Sequence, residues 1–205
     1  MAYIVGILLG YFLGCSNMAY YLSKWKKADL RAAGSGNLGA SNATILLGWR
    51  AGVATGVHDV VKAAIAVLVT RILFPETEFA AFAAGVACVL GHIFPFYLKF
   101  RGGKGFASYW GMTLALNWKL ALIVGAAIIL VTWITDYIVM GTFTTIFSVP
   151  VYMGLTRNWI AALILSIATA VILYKHWENI VQLIKGKEIG LRSAIRGDNK
   201  LEKNK

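Results

Sequence analysis

Residues 106–135 read FASYWGMTLALNWKLALIVGAAIILVTWIT, and how many times this stretch crosses a membrane decides the topology of the chain. Thirty helical residues would measure about 45 Å at about 1.5 Å each, against a hydrocarbon layer of about 30 Å. One span is therefore too few. Asn117-Trp118-Lys119 interrupts the run, so the stretch divides into Phe106–Leu116 and Leu120–Ile134. The first piece is too short to cross unaided. It must start inside the preceding loop or be shielded by protein.

The same apolar character extends in both directions. Of the 205 residues, 59% are hydrophobic and only 14% charged, and the mean hydropathy is +0.68. Soluble domains carry about 45–50% apolar and about 25% charged residues. Both departures point to an all-α integral membrane protein. Further spans are expected at Tyr3–Leu22, Gly52–Phe74, Phe79–Leu98, Tyr137–Leu155 and Trp159–Tyr174, giving a seven-span helical bundle. Ala40–Leu47 reads as a short helix in a loop on the cytoplasmic side. Residues 1–187 form the transmembrane domain, and 188–205 a basic cytoplasmic tail expected to be flexible.

Charge placement supports seven spans. The net charge is +11. With an outside N-terminus, the inner segments hold sixteen of the twenty Lys and Arg residues, from Lys24 through Arg50, Lys99 through Lys104, and Lys175 onward. That is the bias of cytoplasmic loops, and reading 106–135 as one span would place the basic tail outside. The same placement argues against nucleic-acid binding. Cys15 and Cys88 lie in apolar runs and read as buried thiols. The tryptophans fall mostly near span ends. Met1-Ala2-Tyr3-Ile4 lacks the basic start of a signal peptide, and Phe12-Leu13-Gly14-Cys15 only approaches a lipoprotein box.

Three polar constellations fall on the inner face. They are Gly34-Ser35-Gly36-Asn37-Leu38-Gly39-Ala40-Ser41-Asn42, the basic loop Gly91-His92-Ile93-Phe94-Pro95 through Arg101-Gly102-Gly103-Lys104-Gly105, and His176-Trp177-Glu178-Asn179. Glycine lets a backbone turn its N–H groups toward an anion, and lysine or arginine adds charge. Loops on one face of a bundle can converge on one ligand. The basic loop lacks the GxxxxGK[ST] pattern of nucleotide hydrolases. No His/Cys/Asp/Glu cluster has metal-ligand spacing, and no cofactor is expected. His58, Asp59 and Lys62 lie inside a span, where charge is costly. They read as a structural Asp59–Lys62 pair or as an ion path.

Together these motifs resemble the acyl-phosphate:glycerol-3-phosphate acyltransferase family (PlsY), in matching order and spacing from the first span to about Gly186. Asp59-Val60-Val61-Lys62 matches the family's Asp-x-x-Lys. The resemblance implies a multi-pass protein of the bacterial inner membrane, with cytoplasmic motifs. Its substrates would be acyl phosphate and glycerol 3-phosphate, its products lysophosphatidic acid and phosphate, and membrane lipid its surroundings. By position, Ser35, Lys104, His176 and Asn179 belong to the catalytic site. Gly36, Asn37, Gly39, Asn42, His92, Arg101, Gly102, Gly103, Gly105 and Thr142 belong to phosphate and substrate binding.

The residues fit that chemistry. Acyl phosphate is already activated, so no covalent enzyme intermediate is required. His176 is a candidate general base, or with Asn179 an oxyanion stabiliser, and a substrate phosphate is a third candidate for the proton. His92 either donates to phosphate or fixes the loop. Three places in the chain depart from the family pattern. Ile45 and Trp177 stand where arginine is common, and Asp136-Tyr137-Ile138-Val139 stands for Arg-Tyr-Val-Ser. Arg50 is a candidate replacement for one lost cation. The departures leave open another phosphorylated or polyol acceptor, and Asp59 with Lys62 leaves open a small transporter of a phosphorylated metabolite.

Overall fold

A computed structural model describes residues 1–196. Among these residues the secondary structure is entirely helical: α1 (Ala2–Cys15), α2 (Met18–Trp25), α3 (Ala40–Leu47), α4 (Trp49–Leu73), α5 (Glu78–Ile93), α6 (Phe106–Leu116), α7 (Trp118–Thr135), α8 (Ile138–Leu155), α9 (Trp159–Lys175), α10 (Trp177–Ile184) and α11 (Leu191–Arg196), with a 3-10 turn at Phe96–Leu98.

Five stretches are long and apolar enough to cross a membrane: Ala2–Trp25, Trp49–Leu73, Glu78–Leu98, Trp118–Thr135 and Ile138–Leu155. The helices α9 and α10 pass that test only when taken together, across a 54° bend at His176. The eleven residues of α6 extend about 16 Å, too short to cross unaided. This helix starts directly after the basic loop and packs against α4, α5, α7 and α8. Its Ser108, Tyr109, Gly111, Met112 and Thr113 are buried. Protein therefore shields it, as its length demands. Asn117 both ends α6 and caps α7, its side chain accepting from Leu120 N at 3.0 Å.

The core is centred on α5. One of its faces receives α1 at backbone distance. A Cβ added at Gly10 would meet the Ala84 carbonyl, one at Gly14 the Cys88 carbonyl, and one at Gly91 the Tyr11 carbonyl. Gly6, Gly10 and Gly14 recur every fourth residue, so they share one helix face. Small residues allow this approach in lipid, where dispersion rather than water exclusion joins helices. The pattern is visible in the sequence itself. Tyr109, Met112, Ile93, Ile146, Leu165 and Ile172 fill the interior where α5, α6, α8 and α9 meet.

Four charged or polar groups cross-link the same region. Lys62 Nζ lies 2.7 Å from Asp59 Oδ1 and donates to Ser16 O at 2.7 Å. It also lies 2.9 Å from His92 Nδ1, which is itself 3.2 Å from Asp59 Oδ1. Asp59, Lys62 and His92 are all buried. A buried charge demands a partner at this range. The cluster therefore welds α4 to α5 and to the end of α1, directly beneath the basic loop.

Candidate active site

The basic loop is shaped by its own glycines. Gly102 N donates to Ile93 O at 3.0 Å and Gly103 N to His92 O at 3.1 Å, so the strand leaving the loop lies back on the end of α5. A Cβ on Gly103 would strike the His92 imidazole, and one on Gly102 the His92 carbonyl. His92 thus acts as the platform of the loop. Its ring is buried against Asp59 and Lys62 on one side and Gly103 on the other. Tyr97 Oη donates to Cys15 O at 2.9 Å, and Tyr11 Oη to Phe94 O at 2.9 Å. Both pin the loop to α1. Gly105 has φ +91°, a backbone that disfavours side chains, and this turn launches α6.

The amides of Gly102 and Gly103, expected to face an anion, are committed within the loop. So is that of Gly36, which donates to Ala33 O at 3.1 Å. The uncommitted donors gather at the start of α6, where the first N–H groups of any helix lack intrahelical acceptors. Ser108, in that first turn, is fully buried and its hydroxyl has no partner within the protein. Sequence reading passed over Ser108, though its position three residues past Gly105 was the available signal. Arg101 is exposed at the rim.

Lys104, half-buried at the mouth, reaches across to α10. Its Nζ donates to Asn179 Oδ1. Asn179 Nδ2 in turn donates to Glu188 Oε1 at 2.7 Å, so Glu188 joins the site unannounced by the motif reading. Burial lowers the pKa of Lys104, with Lys175 pushing the same way while Glu188 and Glu178 oppose it.

His176 sits at the bend between α9 and α10. Its Nδ1 lies 2.8 Å from Ile172 O. A carbonyl only accepts, so Nδ1 carries the proton and Nε2 presents a lone pair. The ring is buried and edges onto Phe143 of α8 at 6.1 Å. Burial pulls its pKa down to about 4, aided by the positive Lys104 and opposed by the Ile172 carbonyl. The imidazole is neutral at neutral pH. Thr142, next to Phe143, is buried in the early α8 and its hydroxyl donates to Ile138 O at 3.3 Å.

The first motif folds around Asn42. Its buried amide donates to Leu30 O at 2.8 Å and Asn37 O at 3.0 Å, and its Oδ1 accepts from Ser35 N at 3.0 Å. Asn42 is thereby the loop's organiser. Ser35 and Gly36 lie exposed on top, with Asn37 and Gly39 half-exposed beside them. Leu30, Leu38 and Ala43 of this segment pack with Leu98 of the basic loop. The first and second motifs are therefore neighbours, and the second and third are hydrogen-bonded. No group of three or more metal-ligating side chains occurs among the described residues.

Residues 4–186 match the family described as glycerol-3-phosphate acyltransferase. The chain belongs to the glycerol-3-phosphate acyltransferase family. It is 38% identical over 192 residues to the glycerol-3-phosphate acyltransferase of Coxiella burnetii (strain CbuG_Q212), covering 92% of this chain and 97% of that one. It is 35% identical over 200 residues to that of Thermoanaerobacter pseudethanolicus, covering 94% and 98%. The backbone is similar to a crystal structure of PlsY, an integral membrane glycerol 3-phosphate acyltransferase, in its glycerol 3-phosphate form, with TM-score 0.87, 29% identity, and 93% and 96% coverage. The lysophosphatidic acid form of PlsY gives TM-score 0.80. The three departures fall in different parts of this acyltransferase fold. Ile45 and Trp177 are exposed, and Asp136 ends α7.

Proposed function

We propose that this chain transfers a fatty acyl group from acyl phosphate to the 1-hydroxyl of glycerol 3-phosphate, releasing lysophosphatidic acid and inorganic phosphate. The single observation carrying the reading is the convergence of Lys104 with Asn179 beside a buried neutral His176, at the open start of α6. The α6 amides and the Ser108 hydroxyl suit one phosphate, and Lys104 suits a second. Ser35 and Arg101 lie at the rim, on the side from which a soluble acceptor would come.

The reaction then runs in one displacement. The acceptor oxygen attacks the acyl carbonyl carbon, a C–O ester bond forms, and the C–O bond to phosphate breaks. The hydroxyl proton passes to His176 Nε2, whose orientation the Nδ1–Ile172 bond fixes, and from there to the departing phosphate, which restores the neutral ring. Burial is the main reason the histidine's pKa is low and Lys104 adds to it; phosphate bound beside Lys104 offsets that added part, so the base strengthens when substrate is present. Asn179 holds the Lys104 ammonium in place. The acyl chain lies in the membrane between helices, and no cofactor takes part.

In the same reading the chain crosses the bacterial inner membrane seven times, counting the short α6 as a protein-shielded crossing. The N-terminus is outside, and the three motifs and the tail are cytoplasmic. Purified protein in detergent, given palmitoyl phosphate and glycerol 3-phosphate, should release phosphate. Release with a polyol or another phosphorylated acceptor, but none with glycerol 3-phosphate, would assign the divergent acceptor that Ile45, Asp136 and Trp177 leave open. No release with any acceptor would sink the reading.

A further inference from the structure

The residues after α10 do not leave the molecule. Leu191 N donates to Asp136 O at 2.6 Å, and Arg192 N donates to Asp136 Oδ1 at 2.9 Å. Arg192 Nη2 donates to Trp133 O at 2.9 Å, with its Nε 3.9 Å from Asp136 Oδ1. Gly190 is buried so closely on the Asp136 carboxylate that a Cβ there would collide with it. The expected tail boundary at residue 188 thus runs through a docked segment, while residues 197–205 lie outside the described residues.

The other end of this segment is Glu188, which accepts from Asn179 Nδ2 at 2.7 Å. Four residues span at most about 14 Å. A chain so short, fixed at Asp136, has little freedom over where it puts the Glu188 carboxylate.

We propose that Asp136 is a positioning residue for the Lys104–Asn179 pair, acting through a strap, residues 188–192, that it anchors to the end of α7. This rests on the acyltransferase reading of the site. The chain of contact is continuous: Asp136 holds Gly190 to Arg192, Glu188 takes the Asn179 N–H₂, and the Asn179 oxygen is thereby turned to Lys104. An amide with two nearly isosteric ends needs such a partner to choose its orientation. Position 136 is one of the three departures from the family pattern. Its carboxylate is spent on this chain's own backbone, which accounts for an anion where the family has a cation.

The test uses the full chain in detergent micelles. Asp136→Gly removes the carboxylate without strain, because Asp136 has φ +68°, a conformation glycine tolerates. Gly190→Ala attacks the same contact from the other side. In both, tryptic cleavage after Lys187 should rise. Lys104, followed by NMR of 13C-lysine and assigned with Lys104→Arg, should titrate at lower pH. It keeps Glu178 as an opposing charge and Lys175 and His176 as neighbours, but loses Glu188. kcat should fall about tenfold, and the alkaline limb of its pH profile should move down with Lys104. Asp136→Asn keeps an oxygen for Arg192 N–H and should recover most of both. A Lys104 titration unchanged in Asp136→Gly and Gly190→Ala overturns the proposal, as does unchanged cleavage after Lys187. Absence of wild-type turnover would overturn the proposed function instead, and the Lys104 titration would still decide the strap.

Discussion

Lys104 Nζ donates to Asn179 Oδ1 although 75 residues separate them. The contact joins the loop before α6 to the helix after α9. If the two side chains act as one unit, Lys104→Ala should lower kcat/KM by about 10³-fold and Asn179→Ala by about 10²-fold. The double variant should lose far less than the product, a coupling of about 1–3 kcal/mol. Phosphate release measures all three, and strictly multiplicative losses would mean that the contact has no functional weight.

His176 should titrate near 4 rather than near its ordinary 6.5. The folded pKa is depressed, so its stabilising contribution is complete above about pH 6.5 and is lost as pH falls toward 4. The full effect is roughly 3 kcal/mol. NMR of 13C-labelled histidine in micelles reads the value directly. A midpoint near 6.5 would refute the burial argument. Phosphate added to the sample should raise the midpoint.

The Asp59–Lys62–His92 cluster is a structural weld. Asp59→Asn leaves Lys62 charged in the interior with its counter-ion gone. Unfolding in detergent should show a loss of about 3–5 kcal/mol. The paired change Asp59→Leu with Lys62→Met should recover most of it. An unfolding temperature unmoved by Asp59→Asn would argue for a solvated cluster, and so for the ion path.

Packing of α1 on α5 gives a contrast between two glycines. At Gly14 an added side chain meets the backbone of Cys88, so Gly14→Val should destabilise the bundle by about 1–3 kcal/mol or prevent assembly. At Gly56 the nearest atom to an added Cβ is Ala40 Cβ, at an ordinary 3.7 Å. Gly56→Ala should therefore be neutral or slightly stabilising, since alanine is the better helix former. Thermal unfolding of the two variants side by side checks the difference. Equal effects would refute the close approach.

Cysteine labelling checks the membrane topology. Cys15 and Cys88 are buried, so background is low. A cysteine at Ser193 should react with an impermeant reagent only from the cytoplasmic side, and one at Thr77 only from outside. Labelling of position 193 from outside would refute seven crossings.

Much of this protein was legible in its residues alone. Apolar run lengths disclosed a helical membrane protein with several spans, because a hydrocarbon layer admits only long apolar helices. Helix boundaries followed closely: Phe106–Leu116 and Ala40–Leu47 agree at both ends. The glycine-rich motifs also disclosed the family, since their order and spacing match it. The sequence could not say which motif atoms face a ligand. Only the tertiary structure decided that the Gly102 and Gly103 amides are used within the loop, that His92 lies beneath it on Asp59 and Lys62, and that Asn42 is spent on its own turn. The reason is competition: each buried polar group takes the partner that packing brings nearest, and distance along the chain does not reveal it. Asp136 illustrates this most clearly, as an apparent lost cation that the fold uses to hold residues 190–192.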